Sequence, residues 1–318
     1  MSTIRKLDNN YSNIPIQENL LELLVADKRS VQTRRVYRSD ISMFFKEMYP
    51  LTEEALAIEQ FLALTQFDAT VVGIQYKAQM LGRGLKEATL NRRLAALRSL
   101  VELARKLGKC TFHLLDVKGE KVTAYRDTSG LTKDEFKKVL KQVDTSTRIG
   151  IRDFAILLLL WTNALRRSEV SKLKVSDFNY DNRTLRVLGK GKGTNYEVIE
   201  LPKATADAIW EWLASGKITS TDNSLFTACD FYNAGHGLTG DMISRIVKKY
   251  CSKAGIIKRV SAHTMRHSSI TAALDASDGN VRKVQKLSRH ADIRTLTIYD
   301  DNRNRHQGEM SDVLADLL

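Results

Sequence analysis

Residues 261–300 read SAHTMRHSSITAALDASDGNVRKVQKLSRHADIRTLTIYD. His263, Arg266 and His267 stand at i, i+3 and i+4, a spacing that brings side chains together on one face of a helix. Two imidazoles and a guanidinium on one face make an anion-facing cluster. Another imidazole follows at His290, where a short helical pattern ends, and Tyr299 comes nine residues later. Any one of these alone is an ordinary surface or core residue. Zinc is the other reading of two histidines at i, i+4, but the HTMRH run lacks a Glu after its first His, and Arg266 repels a cation from the same face.

The chain has 318 residues, enough for two domains with separate cores. Its net charge of +13 points to a polyanion, and nucleic acid is the commonest. The excess is shared: 20 Lys and Arg stand against 14 Asp and Glu before residue 127, and 30 against 23 after it. Charge on both halves suggests that both touch one duplex, although any single Lys or Arg is more often a solvated surface group. Three cysteines without paired spacing, Cys110, Cys229 and Cys251, fit a reducing compartment and give no disulfide or zinc framework. The N-terminus lacks a signal-peptide core, and the apolar run Phe154–Trp161 is far shorter than the roughly 20 residues a membrane helix needs. These features predict a soluble, cytoplasmic protein with no membrane partner.

Upstream of the quoted stretch the pattern is helical. Residues 1–16 are a short polar arm, and Ser30 or Thr33 can cap the helix that follows. In that helix Tyr37, Ile41, Phe44, Phe45 and Met48 form an apolar stripe, with Arg34, Arg35 and Arg38 on the opposite side. Helices are expected over 53–64 and 70–81. A long one follows with its seam at Leu90, Leu94, Leu97, Val101 and Ala104, closed by Gly108, with Arg92, Arg93 and Arg98 off the seam. The six arginines are candidate phosphate contacts on a bundle of four or five helices. The polar stretch 117–129 suits a linker, which sets the expected domains at 1–116 and 130–318.

The second half opens with a capping box, Thr132 and Glu135. The run IRDFAILLLLWTNAL is apolar nearly all round and predicts a central buried helix. ALRRSEV then predicts a helix with Arg166 and Glu169 on one face. A hairpin follows, TLRVL and YEVIEL around the tip GKGKGTN, which carries Lys190 and Lys192. The tip is no phosphate-binding loop of the P-loop kind: its glycine spacing differs, and a strand follows where that motif needs a helix. A solvated turn is its plain alternative. Helices are expected over 204–214 and 241–254. The last residues, MSDVLADLL, place Met310, Val313, Leu314, Leu317 and Leu318 on one stripe, to fold back on their own domain or dock on a neighbouring subunit.

Arg166 with Glu169, a hairpin lysine, His263-x-x-Arg266, His290 and Tyr299, in that order, resemble the catalytic set of the tyrosine recombinase (phage integrase) family. The resemblance covers the whole chain. It implies a mainly α fold with a small antiparallel sheet, a helical core-binding bundle followed by an α+β catalytic domain. Four positions depart from the family's usual pattern: Ala164 and Arg289 stand where Gly is common, Ser288 where Leu is common, and Met265 where Leu is frequent in the H-x-x-R box. None removes a reacting group.

The resemblance implies that Tyr299 attacks a DNA phosphate and becomes linked to the 3′ end. Arg166 and Arg266 would offer paired donors to the phosphate as its charge grows. His263 would be the base or proton relay and His290 a donor to the phosphate. A hairpin lysine would protonate the 5′-oxygen leaving group; Lys190 is preferred and Lys192 is the alternative. Glu169 would orient Arg166 or His263, and His267 would support from behind. The link conserves bond energy, so neither metal nor another cofactor is needed. Double-stranded DNA is the implied partner, and a tetramer passing its C-terminal helix between protomers the implied assembly. Two rivals remain: a relaxing enzyme like the type IB topoisomerases, and a DNA-binding protein without catalysis.

Overall fold

A computed structural model describes residues 16–122, 130–189, 195–216, 223–230, 232–258, 260–296 and 306–317. The chain divides into two compact units, 1–123 and 124–318. Both are mainly helical, and the second adds a small antiparallel sheet. Among the described residues no helix is long and apolar enough to cross a membrane.

In the first unit five helices are described: α1 (Ile16–Asp27), α2 (Val31–Met48), α3 (Glu54–Leu62), α4 (Gln66–Gly82) and α5 (Glu87–Lys106). Ser30, not Thr33, caps α2, its hydroxyl accepting from the Thr33 N–H. Ile41, Phe44 and Phe45 are buried as their stripe requires, and Phe44 meets Phe45, Phe61 and Tyr76 edge to face at 4.9, 5.1 and 5.0 Å. The helix expected over 70–81 begins four residues early. Thr65 caps it by accepting from the Asp68 N–H, a signal present in the sequence. All five seam residues of α5 are buried. Gly108, at φ +69°, ends that helix with Gly108 N–H to Arg105 and Lys109 N–H to Ala104, the paired bonds of a Schellman motif. Val117 is buried in the bundle's core, and Asn91 bonds both backbone groups of Glu120 at 2.8 Å. Residues 117–120 therefore pack on the first unit.

In the second unit, α6 (Lys133–Lys141) starts at the Thr132–Glu135 capping box, with both of its bonds formed. Helix α7 (Arg148–Thr162) is the central buried helix, with α9 (Lys203–Gly216) and α11 (Ala262–Asp275) packed on it. Between them run the four-residue α8 (Arg167–Val170) and strands β1 (Phe178–Asn179), β2 (Thr184–Leu188) and β3 (Tyr196–Glu200). The sheet order is β1-β2-β3, antiparallel, with Thr184 opposite Glu200 and Leu188 opposite Tyr196. Leu185 and Val187 point into the core while Arg186 faces out over the Tyr196 ring, the alternation of a half-buried strand. Lys190 and Lys192, on the hairpin tip, lie outside the described residues.

Helix α10 (Gly240–Lys253) precedes α11, and α12 (Val281–Ser288) packs against α11. A small separate cluster of Ala164, Ile270, Leu274, Val284 and Leu296 joins the turn after α7 to α11 and α12. That cluster fixes the backbone on which the charged residues stand. The C-terminal helix His306–Ala315 carries Val313 and Leu314 exposed, with Leu317 exposed just beyond it.

Candidate active site

The turn from α7 into α8 sets the first arginine. Asn163 closes α7, Ala164 turns left-handed at φ +47°, and Arg166 is extended at φ −78°, ψ 147°. Arg166 is thus the N-cap of α8 and not a helical residue, as the i, i+3 reading of ALRRSEV required. The pairing with Glu169 survives for a different reason. Glu169 is three residues into α8 and reaches back: one carboxylate oxygen accepts the Arg166 backbone N–H at 2.8 Å and the other accepts Nη1 of Arg166 at 2.8 Å. An Arg side chain has no acceptor, so this is the carboxylate half of a capping box.

Helix α11 supplies the second arginine. Its N-cap Ser261 accepts from the Thr264 N–H. Arg266, only 2% exposed, donates through Nη1 to the Ala164 carbonyl and through Nη2 to the Ser288 carbonyl, and Nη2 lies 3.4 Å from His290 Nε2. The guanidinium is thereby held between the turn after α7 and the end of α12. Two serines missed in the sequence tie α11 in place: Ser268 Oγ accepts the Leu131 N–H at 2.7 Å, and Ser269 Oγ donates to the Trp161 carbonyl. His263, on the exposed end of α11, has its Nε2 at 2.7 Å from Nε2 of His267, the rings nearly perpendicular. One ring must donate and the other accept, so their protonation states are coupled.

The end of α12 supplies the third element. His290 Nδ1 lies 3.0 Å from the Ser288 hydroxyl, and Gln285 donates to the His290 carbonyl at 3.1 Å. Arg289 between them is left-handed at φ +56°. Its side chain, 3% exposed, donates to Glu169 at 2.8 Å and to the Asn163 and Leu287 carbonyls at 3.2 Å each. Sequence reasoning missed Arg289 as a site residue. Its signal was the departure from Gly, and Ala164 carries the same signal: both stand at positive φ, where a side chain costs about 1–2 kcal/mol and glycine nothing.

Burial pushes the Glu169 carboxyl up, but Arg289, the Arg166 backbone N–H and the Arg166 guanidinium together outweigh it and hold the group below its ordinary value. Glu169 is therefore ionised at neutral pH. Around this single carboxylate the structure brings Arg166, Arg289 and, through the shared turns 163–166 and 288–290, Arg266 and His290. Three guanidiniums against one carboxylate leave a positive surplus, suited to an anion that spreads charge over several oxygens. His263 and His267 stand on the same helix as Arg266. Tyr299 lies outside the described residues, as do the two lysines.

The bundle arginines are placed otherwise. Arg98 donates to the Leu114 and Val117 carbonyls, and Arg34 to those of Lys28 and Ala26. Arg38 pairs with Glu22, Arg92 with Asp40, and Arg93 lies between Asp40 at 4.0 Å and Glu47 at 3.6 Å. Arg35 is exposed and meets no carboxylate among the described residues.

Comparison with known proteins bears on the whole chain. A model described as the phage integrase family matches residues 129–306, and one described as the phage integrase N-terminal SAM-like domain matches residues 16–108. A tyrosine recombinase of Synechococcus elongatus is 45% identical over 305 residues, covering 96% of this chain and 95% of its own. One of Synechocystis is 44% identical over 310 residues, covering 98% of each. Among solved structures, the XerH site-specific recombinase bound to palindromic difH substrate, in a post-cleavage complex, has a TM-score of 0.66 at 20% identity, covering 94% of this chain and 85% of that one. The lambda integrase tetramer bound to a Holliday junction has a TM-score of 0.63 at 18% identity, covering 91% and 77%. At those identities the structures speak to fold.

Proposed function

This chain belongs to the phage integrase family and is a tyrosine recombinase, and on that premise we propose that Tyr299 cuts and rejoins double-stranded DNA at a phosphate held by Arg166 and Arg266. The Tyr299 oxygen forms a bond to phosphorus as the bond from phosphorus to the 5′-oxygen breaks, leaving a 3′-phosphotyrosyl link and a free 5′-hydroxyl. The tyrosine proton passes to His263, and the 5′-oxygen takes a proton from Lys190, with Lys192 as the alternative. His290 donates to a phosphate oxygen and Glu169 holds Arg166. Rejoining reverses these steps with the 5′-end of a partner strand. No metal or other cofactor enters.

The observation that carries this reading is the surplus of guanidinium around one ionised carboxylate, with Arg266 and His290 locked to the same two turns. The two units, read from the sequence as a core-binding domain over 1–116 and a catalytic domain over 130–318 joined by 117–129, of which 117–120 pack on the first unit, would both meet the duplex. The chain would act in the cytoplasm as a tetramer, as the lambda integrase does on a Holliday junction. Exposed Val313, Leu314 and Leu317 support passage of the C-terminal helix to a neighbouring protomer. The task served, whether integration and excision, inversion or dimer resolution, depends on the DNA site.

The test is a library of random duplexes, each nicked so that cleavage beside the nick releases a short fragment and traps the adduct. The wild type is expected to retain DNA after boiling in detergent and Tyr299→Phe to retain none. The recovered DNA, sequenced, gives the site. DNA binding without an adduct from the wild type would leave a non-catalytic binder, and equal adducts from both proteins would displace Tyr299 as the nucleophile. On the recovered site, truncation at Glu309 should abolish assembly beyond single protomers.

A further inference from the structure

We infer that Arg289 is a positioning residue of the active site: it clamps Glu169 and so fixes the Arg166 guanidinium on the reacting phosphate. The inference rests on the reading of Arg166 given above. Arg289 stands in a costly state. Its backbone is left-handed, its charge is 3% exposed, and its Nε is buried with no hydrogen-bond partner among the described residues. A strained backbone and a buried cation persist only where the surroundings hold them, and such residues gather at functional sites.

What holds Arg289 identifies what it does. Nη2 meets the Glu169 oxygen that also accepts the Arg166 backbone N–H, while the other Glu169 oxygen takes Nη1 of Arg166. Glu169 is therefore gripped on both oxygens and cannot turn. Nη1 of Arg289 bonds the carbonyls of Asn163 and Leu287, one on each side of the site, so the same side chain spans the turns that carry Arg166 and His290. Arg166 spends one nitrogen on Glu169 and is a quarter exposed, and its Nε and Nη2 make no hydrogen bond among the described residues. Those are the donors a phosphate can take. Without Arg289 the carboxylate is held by Arg166 alone, and the two donors are free to swing.

The expected consequence is a slower chemical step with DNA binding intact, since a small misplacement of a catalytic group costs about 10²-fold in rate. The experiment uses the full chain and the nicked duplex recovered with the wild type. Single-turnover cleavage and the DNA dissociation constant are measured for Arg289→Gly, Arg289→Lys, Glu169→Gln and the Arg289→Gly/Glu169→Gln pair. Arg289→Gly should lower the rate constant by about 10²-fold at unchanged dissociation constant. Arg289→Lys, which keeps the charge without the fork, should recover part of the rate. The double variant should be little slower than the slower single one, because both break one clamp.

A purely structural role would show in the reaction amplitude, which counts folded molecules, with the rate constant unmoved. That result, a wild-type rate for Arg289→Gly, or losses that multiply in the double variant would each overturn the inference. If Arg289→Gly does not fold, Arg289→Lys decides: a wild-type rate constant refutes the clamp and a reduced one at unchanged binding supports it. Failure of the wild type to form any adduct would strike the proposed function instead.

Discussion

Asp40 in the bundle and Glu169 in the second unit are built from the same parts. Each is a buried carboxylate, 5% and 3% exposed, with two arginines beside it. Their chemistry is opposite. At Asp40, burial raises the pKa and Arg92 and Arg93 do not bring it back, because Arg92 is 3.1 Å away and half in solvent, Arg93 is 4.0 Å away, and Oδ2 has no hydrogen-bond partner. At Glu169 the same burial is outweighed, since both oxygens receive charge-assisted bonds at 2.8 Å and a backbone N–H joins them. Proximity to arginine does not make an anion hole. Alignment does, and only one of the two carboxylates has it.

The largest effect that separates them is at neutral pH. Glu169→Gln should cost about 3 kcal/mol or more of stability, because it leaves Arg289 buried with half its partner, and about 10²–10³ in cleavage rate. Asp40→Asn should stay within about 1 kcal/mol of wild type and cleave normally. Urea midpoints and single-turnover cleavage measure both, and equal losses at the two sites would erase the distinction.

Acid sharpens the same contrast. The folded pKa of Glu169 is below its ordinary 4.5, so its contribution is present above that value and is lost as pH falls through the folded one. Asp40 runs the other way. Its folded pKa is above 3.8, so stability is lost as pH rises from there through the folded value. Urea midpoints between pH 6 and 3, taken as wild type minus variant, should therefore slope upward with pH for Glu169→Gln and downward for Asp40→Asn. Slopes of one sign would mean that the two carboxylates are held alike.

How much of this was legible in the sequence follows from what a letter encodes. The stripes of α2 and α5, the burial of α7 and the Thr132–Glu135 box are periodic or local, and each formed where its pattern falls. The H-x-x-R spacing put His263 and Arg266 on one helix. The acceptors were invisible: Arg98 and Arg266 both end on backbone carbonyls, which every residue has and no letter marks. A guanidinium on a long stem reaches several of them, so an arginine off an apolar seam can be structural. Arg289 was hidden for a second reason. It joins residues 120 positions apart, and its one local trace was a side chain where a left-handed turn prefers glycine.

The same distinction sorts the bundle arginines. Arg98→Ala should destabilise the bundle by about 1–3 kcal/mol, because two carbonyls lose their donors, while the salt dependence of DNA binding stays unchanged. Arg35→Ala should leave the thermal midpoint where it is and lower the slope of log affinity against log salt by about 1, the loss of one phosphate contact. Thermal melts and a salt titration of binding distinguish them. A fall in slope for Arg98→Ala would mean that carbonyl-bound arginines still reach the duplex.

The smallest expected effect tests whether charge or backbone strain governs Glu169. Ala164 and Arg289 are both left-handed, and Arg266 is held by the carbonyl of Ala164 and by that of Ser288, the residue before Arg289. Ala164→Gly relieves about 1–2 kcal/mol of strain but gives back most of it, through the glycine's freedom in the unfolded chain and the loss of a methyl packed with Ile270, Leu274, Val284 and Leu296. The melting temperature should move by no more than about 2–4 °C, and cleavage should keep its wild-type rate. Arg289→Gly relieves the same kind of strain and removes an ion pair as well. If Ala164→Gly slowed cleavage as much as Arg289→Gly, the stiffness of the two turns would be what positions Arg166, and the alignment of charges on Glu169 would be its by-product.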